Sequence, residues 1–185
     1  MKTNENIALY VLRLAGTLFL IAAVVAGALA GVNAVTKPII DAQNEAKTQA
    51  AIAAVLPGGF DEMITDYEDA TGLVSKIYKG ANGYALEVLP SGFDNTITMM
   101  VGVDTEGKVL GISIVSHTET AGLGAVAAAG TPAGEAFRAE FVGASGSVSV
   151  TKDGGEVEAI TGATITSRAI CVGVNAALEC VAKMG

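Results

Sequence analysis

Leu14 to Val32 is an unbroken run of nineteen residues, LAGTLFLIAAVVAGALAGV, in which Thr17 is the one polar side chain. As a helix rising 1.5 Å per residue it would extend ~28 Å, close to the hydrocarbon thickness of a bilayer. Such a surface has to be buried in lipid, buried in protein, or cut away. A cleaved signal peptide would also have a charged start, and Ala28-Leu29-Ala30 resembles a cleavage site. Its apolar core, however, usually runs only ~7–15 residues. A core helix of a soluble domain is the third reading, but few run so far without a charge. The expectation is a permanent anchor, with the lipid bilayer as its partner. Lys2 and Arg13 precede the run and Lys37 and Lys47 follow it. That bias predicts a single-pass protein of the cell membrane, with a cytoplasmic N-terminus and an extracytoplasmic domain. No cysteine lies near the run to carry a lipid anchor.

The rest of the chain reads differently. From position 37 onward there are nine basic and eighteen acidic residues. Such a domain repels a phosphate backbone, so nucleic acid is excluded as a partner. Cys171 and Cys180 are nine residues apart in a segment of helical pattern, on opposite faces and ~13 Å apart along the axis, too far for a disulfide. With one histidine, His117, and no C-x-x-C, the chain has no framework for zinc, haem or iron–sulfur, and no metal site is expected.

The pattern divides the chain into an N-terminal segment, 1–36, a connecting amphipathic helix, 37–58, and a domain, 59–185. Residues 39–56 have helical spacing and stop at Pro57-Gly58-Gly59. Strands are predicted at 74–79, 83–89, 96–103 and 108–116, with turns at Gly80–Gly83, Pro90-Ser91-Gly92 and Asp104–Gly107. A Gly/Ala-rich stretch, 121–134, leads to a short helix at 135–141. Two more strands are predicted at 148–152 and 156–160. A last helix runs from Thr166 or Ser167 to Lys183, with Ile170, Val174, Ala177, Leu178 and Val181 on its buried face. Strands in the middle with helices at both ends give an α+β fold, a central, mainly antiparallel sheet flanked by helices.

Two segments carry chemistry. In Ile160-Thr161-Gly162-Ala163-Thr164-Ile165-Thr166-Ser167-Arg168, a strand ends and hydroxyls cluster where a helix begins. Free N–H groups and the positive end of the helix dipole suit a phosphate there. An ordinary N-cap has the same residues, with Thr166 or Ser167 as the cap. In Ser116–Gly124, a strand enters a loop with two glycines and a dense polar set. Its backbone amides suit the edge of an aromatic ligand, though a plain strand-to-loop turn reads the same way. His117 has no catalytic partner in the pattern and is expected to be structural.

Taken together, the two segments resemble a known family. Thr161-Gly162-Ala163-Thr164, followed by Thr166 and Ser167, resembles the flavinylation motif of the FMN-binding domain shared by Rnf and Nqr redox complexes. Glu119-Thr120-Ala121-Gly122-Leu123-Gly124 resembles that family's Glu-Thr-Pro-Gly-Leu-Gly loop, with Ala121 in place of the proline. Gly102-Val103-Asp104, Gly107-Lys108-Val109 and Val55-Leu56-Pro57-Gly58 follow the family's course as well. The resemblance covers nearly the whole chain, and its length favours the G subunit of the Rnf ion-translocating ferredoxin:NAD oxidoreductase over the longer C subunit of the Na⁺-translocating NADH:quinone reductase. It implies an FMN joined by a phosphoester to Thr164 by a flavin transferase. The cofactor site it implies comprises Thr164, Thr161, Gly162, Ala163, Thr166, Glu119, Thr120, Gly122, Leu123 and Gly124. It also implies electron relay among other membrane subunits of the complex, with no catalytic residue in this chain and no direct NAD binding. No G-x-G-x-x-G follows a predicted strand, in agreement. Glu158 stands where the family's motif has aspartate, six residues before the acceptor. A membrane-tethered FMN-binding module with a sensory or structural role is the reading from another class.

Overall fold

The structure, a computed structural model, describes residues 2–184, with side chains from residue 9 onward. It divides into two compact units, 1–46 and 47–185. Helix α1, Lys2–Val55, contributes to both. Over residues 9–46 every side chain is exposed, including Leu18, Phe19, Val24 and Leu29. The two threonine hydroxyls in this stretch turn back onto their own helix: Thr17 donates to the Leu14 carbonyl and Thr36 to that of Val32, each at 2.8 Å. Their polarity is thereby satisfied without a neighbour, as a lipid-facing helix requires. Pro38 lies inside the helix. The segment expected at 14–32 and the expected connecting helix as far as Val55 are thus one helical element, and residues 56–58 form the turn that ends it.

In the second unit, the chain forms a five-stranded antiparallel sheet in sequence order: β1 Glu62–Ile64, β2 Val74–Gly80, β3 Gly83–Val88, β4 Thr98–Asp104 and β5 Val109–Ser116. Each connection is short enough to keep neighbours adjacent. Alternation then sends successive side chains to opposite faces. One face carries Tyr78, Ala85 and Met100, against which the last turns of α1 lay Ala51, Ile52 and Val55, followed by Leu56. The other carries Ile77, Leu86, Val88, Met99, Val101 and Ile112. Helix α3, Thr164–Met184, covers that second face with Ile170, Val174, Ala177, Leu178 and Val181, the face read from the three-and-four spacing. Helix α2, Pro132–Ala139, adds Phe137, whose ring meets that of Phe141 edge-on at 5.3 Å.

The structure departs from the expectations at three places and adds one strand that none of them named. The strands expected at 148–152 and 156–160 do not form: Val150 and Val157 make one isolated parallel bridge, and Thr151–Asp153 is a turn of 3-10 helix. Gly154, in the left-handed region, ends that turn, and Asp153-Gly154-Gly155 leaves too few residues for a ladder. Glu62–Ile64 forms an edge strand too short and too exposed to show a period. Helix α2 starts at Pro132 because Thr131 caps it, accepting from the Gly134 N–H at 3.3 Å with proline in the first turn. Most consequential, α3 starts at Thr164, two or three residues ahead of the expected cap. The Ser167 hydroxyl lies inside the helix, donating to the Ala163 carbonyl and accepting from the Ile160 N–H, both at 3.0 Å.

Candidate functional site

The earlier start of α3 places Thr164 at the helix N-terminus. Gly162, at φ 76°, turns the chain in the left-handed region that a side chain resists, and the helix follows two residues later. The first backbone bond of the turn joins Ser167 N–H to the Ala163 carbonyl at 3.0 Å. The N–H groups of Thr164, Ile165 and Thr166 precede it and have no helical carbonyl to meet.

Glu119 ties this helix end to two loops. Its carboxylate is buried, 7% exposed, and accepts from the Phe93 N–H at 2.9 Å, the Asp94 N–H at 3.3 Å and the Thr166 hydroxyl. Three segments far apart in sequence thus converge on one side chain, which orders the loops. Gly124 makes the convergence possible: a Cβ there would run into the Glu119 carboxylate and the Thr166 hydroxyl. Behind it, a 3-10 turn over Gly124–Ala128 is fixed by Arg138, whose Nη1 donates to the carbonyls of Ala127 at 2.6 Å and Ala129 at 3.0 Å.

These elements enclose a cavity of about 300 Å³, within the range of small-molecule sites. Eight of the ten residues expected to hold a cofactor line it: Glu119, Thr120, Leu123, Gly124, Gly162, Ala163, Thr164 and Thr166. Thr161 and Gly122 are exposed and do not. Nor are all the loop amides free to meet a ligand, because Leu123 N–H donates to the Thr120 carbonyl at 3.1 Å.

Three further residues line the cavity and were not anticipated: Phe93, Lys152 and Ile165. Phe93 and Ile165 are 66% and 52% exposed, an apolar rim that buries nothing of its own. Their signal in the sequence was faint, a lone aromatic in a turn and an apolar residue inside a threonine cluster. Lys152 stands twelve residues before Thr164 with no motif to single it out, yet its Nζ lies 3.0 Å from the Thr164 hydroxyl oxygen. Arg168, one helical turn beyond Thr164, holds Asp153 by two bonds of 2.6 Å and so fixes the turn that carries Lys152. The Arg168 hydrogen bonds hold the Asp153 carboxyl below the usual carboxylate range.

His117 is half-buried beside this site, with Ile97, Ile114 and Ala127 around it, and its Nδ1 has no hydrogen-bond partner among the described residues. Glu158 is exposed; its backbone N–H donates to the Glu140 carboxylate at 2.5 Å.

An apolar rim, a small-residue cradle that a Cβ would fill, and one lysine against a helix-terminal hydroxyl suit a flat aromatic ring that ends in a phosphate. The sequence comparisons agree with this chemistry. Residues 92–179 match the FMN-binding domain family, and residues 2–55 match the RnfG N-terminal region. A protein of Acetobacterium woodii, named as the G subunit of a Na⁺-translocating ferredoxin:NAD⁺ oxidoreductase complex, is 32% identical, the match covering 97% of each chain. The chain belongs to the RnfG family. The G subunit of an ion-translocating oxidoreductase complex of Pseudomonas aeruginosa is 33% identical over 76% of this chain and 74% of its own. A Clostridium ljungdahlii protein, named as the G subunit of a proton-translocating ferredoxin:NAD⁺ oxidoreductase complex, is 39% identical over 52% of this chain and 51% of its own. As an RnfG-family chain with an FMN-binding domain, it is an electron-transfer subunit.

Proposed function

We propose that this chain relays electrons within a membrane-bound, ion-translocating ferredoxin:NAD oxidoreductase through an FMN joined by a phosphoester to Thr164. The observation that carries the reading is the placement of the Thr164 hydroxyl at the N-terminus of α3, on the wall of the cavity and against Lys152. A bound FMN supplies reversible uptake of one or two electrons at a place fixed by the protein. Phe93, Leu123 and Ile165 offer apolar surface to a ring, and the amides at the start of α3, without helical acceptors, would hold a phosphate. Glu119 holds the walls together, its oxygens already engaged. Covalent attachment leaves the carrier unable to dissociate, so its distance to neighbouring redox groups is set by the fold.

Leu14–Val32 supplies the anchor, crossing the bilayer once with the N-terminus in the cytoplasm and the flavin domain outside. Thr164 stands in a motif that a flavin transferase reads, with the exposed Glu158 carboxylate available to it. The remaining subunits donate and accept electrons and bind NAD. They also move the ion, since the apolar run has no charged residue to form a path.

Intact-mass analysis of protein purified from its host, with in-gel flavin fluorescence after denaturation, tests the reading. The expected result is a mass gain of FMN less one water, absent in Thr164→Ala. A wild-type chain without the adduct, from a host that flavinylates its other acceptors, overturns it.

A further inference from the structure

We propose that Lys152 is the positioning residue of the flavin site, the cation that seats the phosphate at Thr164. The proposal rests on the phosphoester reading above. Among the described residues lining the cavity, two are charged, Glu119 and Lys152. Glu119 repels a phosphate and its oxygens are occupied by Phe93 N–H, Asp94 N–H and the Thr166 hydroxyl. The nearby Arg168 guanidinium is bound to Asp153 through both Nε and Nη2. Lys152 alone brings a positive charge to the acceptor oxygen, at 3.0 Å.

The geometry has a reason in the chain. The 3-10 turn Thr151–Asp153 is pinned at Asp153 to Arg168, one turn into α3, and the preceding residue therefore reaches back to the helix's first residue. One helix thus supplies the acceptor hydroxyl and, four residues on, the arginine that aims the lysine. In a chain of net charge −8 this local cation is an exception with a defined address.

Attachment forms the bond between Thr164 Oγ1 and phosphorus. The hydroxyl gives up its proton, the incoming activated flavin nucleotide gives up its leaving group, and nothing is oxidised or reduced. The ester keeps one negative charge on the phosphate. Lys152 pairs with that charge, before and after the bond is made, while the free N–H groups of α3 donate to its other side.

The test compares full-length wild type, Lys152→Met and Lys152→Arg, each co-expressed with the flavin transferase. The readouts are adduct formation followed by intact mass, flavin fluorescence anisotropy at low and high salt, and thermal melting as a control for folding. In Lys152→Met the adduct should form about three- to tenfold more slowly, the worth of one charge-assisted hydrogen bond discounted for exposure. Its attached flavin should be more mobile, with anisotropy no longer sensitive to salt, and Lys152→Arg should restore both. A folded Lys152→Met chain without any adduct, rescued by Lys152→Arg, supports the proposal equally. Wild-type rates and anisotropy in Lys152→Met overturn it and leave the phosphoester standing. An unmodified wild-type chain overturns the phosphoester reading and this proposal together.

Discussion

Helices α1 and α3 both contain an apolar stretch long enough to cross a membrane, but their side chains meet different surroundings. Over residues 9–46 of α1 every side chain is exposed, whereas 67% of the apolar window of α3 is buried inside the domain. The sequences carry the distinction. The run in α1 is apolar on all sides and has no polar face to turn to water. In α3, Arg168, Glu179 and Lys183 lie exposed while Ile170, Val174, Ala177 and Val181 face the sheet. Length and hydropathy nominate a span; a second, polar face marks a helix that protein will cover.

Matched substitutions give the largest effect. Ile170 is fully buried, so Ile170→Ala should destabilise the domain by about 2–5 kcal/mol through lost burial and a residual cavity. Ile21 is 61% exposed, and Ile21→Ala should leave domain melting within about 0.5 kcal/mol of wild type. Val24→Lys should instead weaken retention in alkaline-washed membranes, at about 2.5–3.5 kcal/mol for a lysine at the helix centre, without changing domain melting. Release from the membrane by Ile170→Ala would break the comparison, because α3 would then share the anchoring.

The site offers a second contrast, between the end of α3 that packs and the end that lines the cavity. Glu119→Gln exchanges an acceptor-only carboxylate for an amide with one acceptor oxygen, facing Phe93 N–H, Asp94 N–H and the Thr166 hydroxyl. A loss of about 2 kcal/mol in urea unfolding is expected, together with reduced flavin loading. Unchanged stability would mean that the three segments converge without this carboxylate.

The sequence carried most of the fold because its signals were periodic and local. Alternation at 74–79 and 83–89 with the turn at Gly80–Gly83, and the helical spacing of Ile170 to Val181, each need only a few neighbouring residues to be read. Eight of the ten expected site residues meet at one cavity for a related reason, since both motifs are contiguous in the chain. What stayed hidden was made by tertiary contact. Lys152 reaches Thr164 only because Asp153 and Arg168 fasten a 3-10 turn to a helix, and Phe93 joins the rim only because its own N–H finds Glu119. The cap of α3 was misplaced because Ser167, a residue suited to an N-cap, bonds back into the helix.

Carboxylates at the two ends of the domain make a smaller, pH-dependent effect. Arg168 holds Asp153 below its ordinary value at the site end. Asp69 is partly buried, which opposes ionisation, but bonds from the Thr71 hydroxyl and from the N–H groups of Val74 and Thr71 outweigh this and also lower it. A depressed folded-state value stabilises the protein above the unfolded carboxylate value of about 4, and that stability is lost as pH falls through the folded value. Domain melting should therefore drop between pH 5 and pH 3, to a smaller extent in Arg168→Gln and in Asp69→Asn. A flat melting profile across that range would remove both carboxylates from the account.

The smallest expected signal concerns the cysteines of α3. Both are free and buried, although nine residues separate them along the helix, because the sheet, the loops and the chain near Glu68 cover α3 round much of its circumference. Cys180 Sγ meets the Glu68 carbonyl at 3.7 Å. Burial pushes the Cys171 thiol up to about 11 and raises that of Cys180 as well. At pH 8 neither thiol supplies much thiolate, the species that reacts. Folded protein should give almost no labelling with a maleimide, and two labels should appear together on unfolding. Rapid labelling of Cys180 alone would show the C-terminal end of α3 opening independently, and the helix would then be covered over only its first turns.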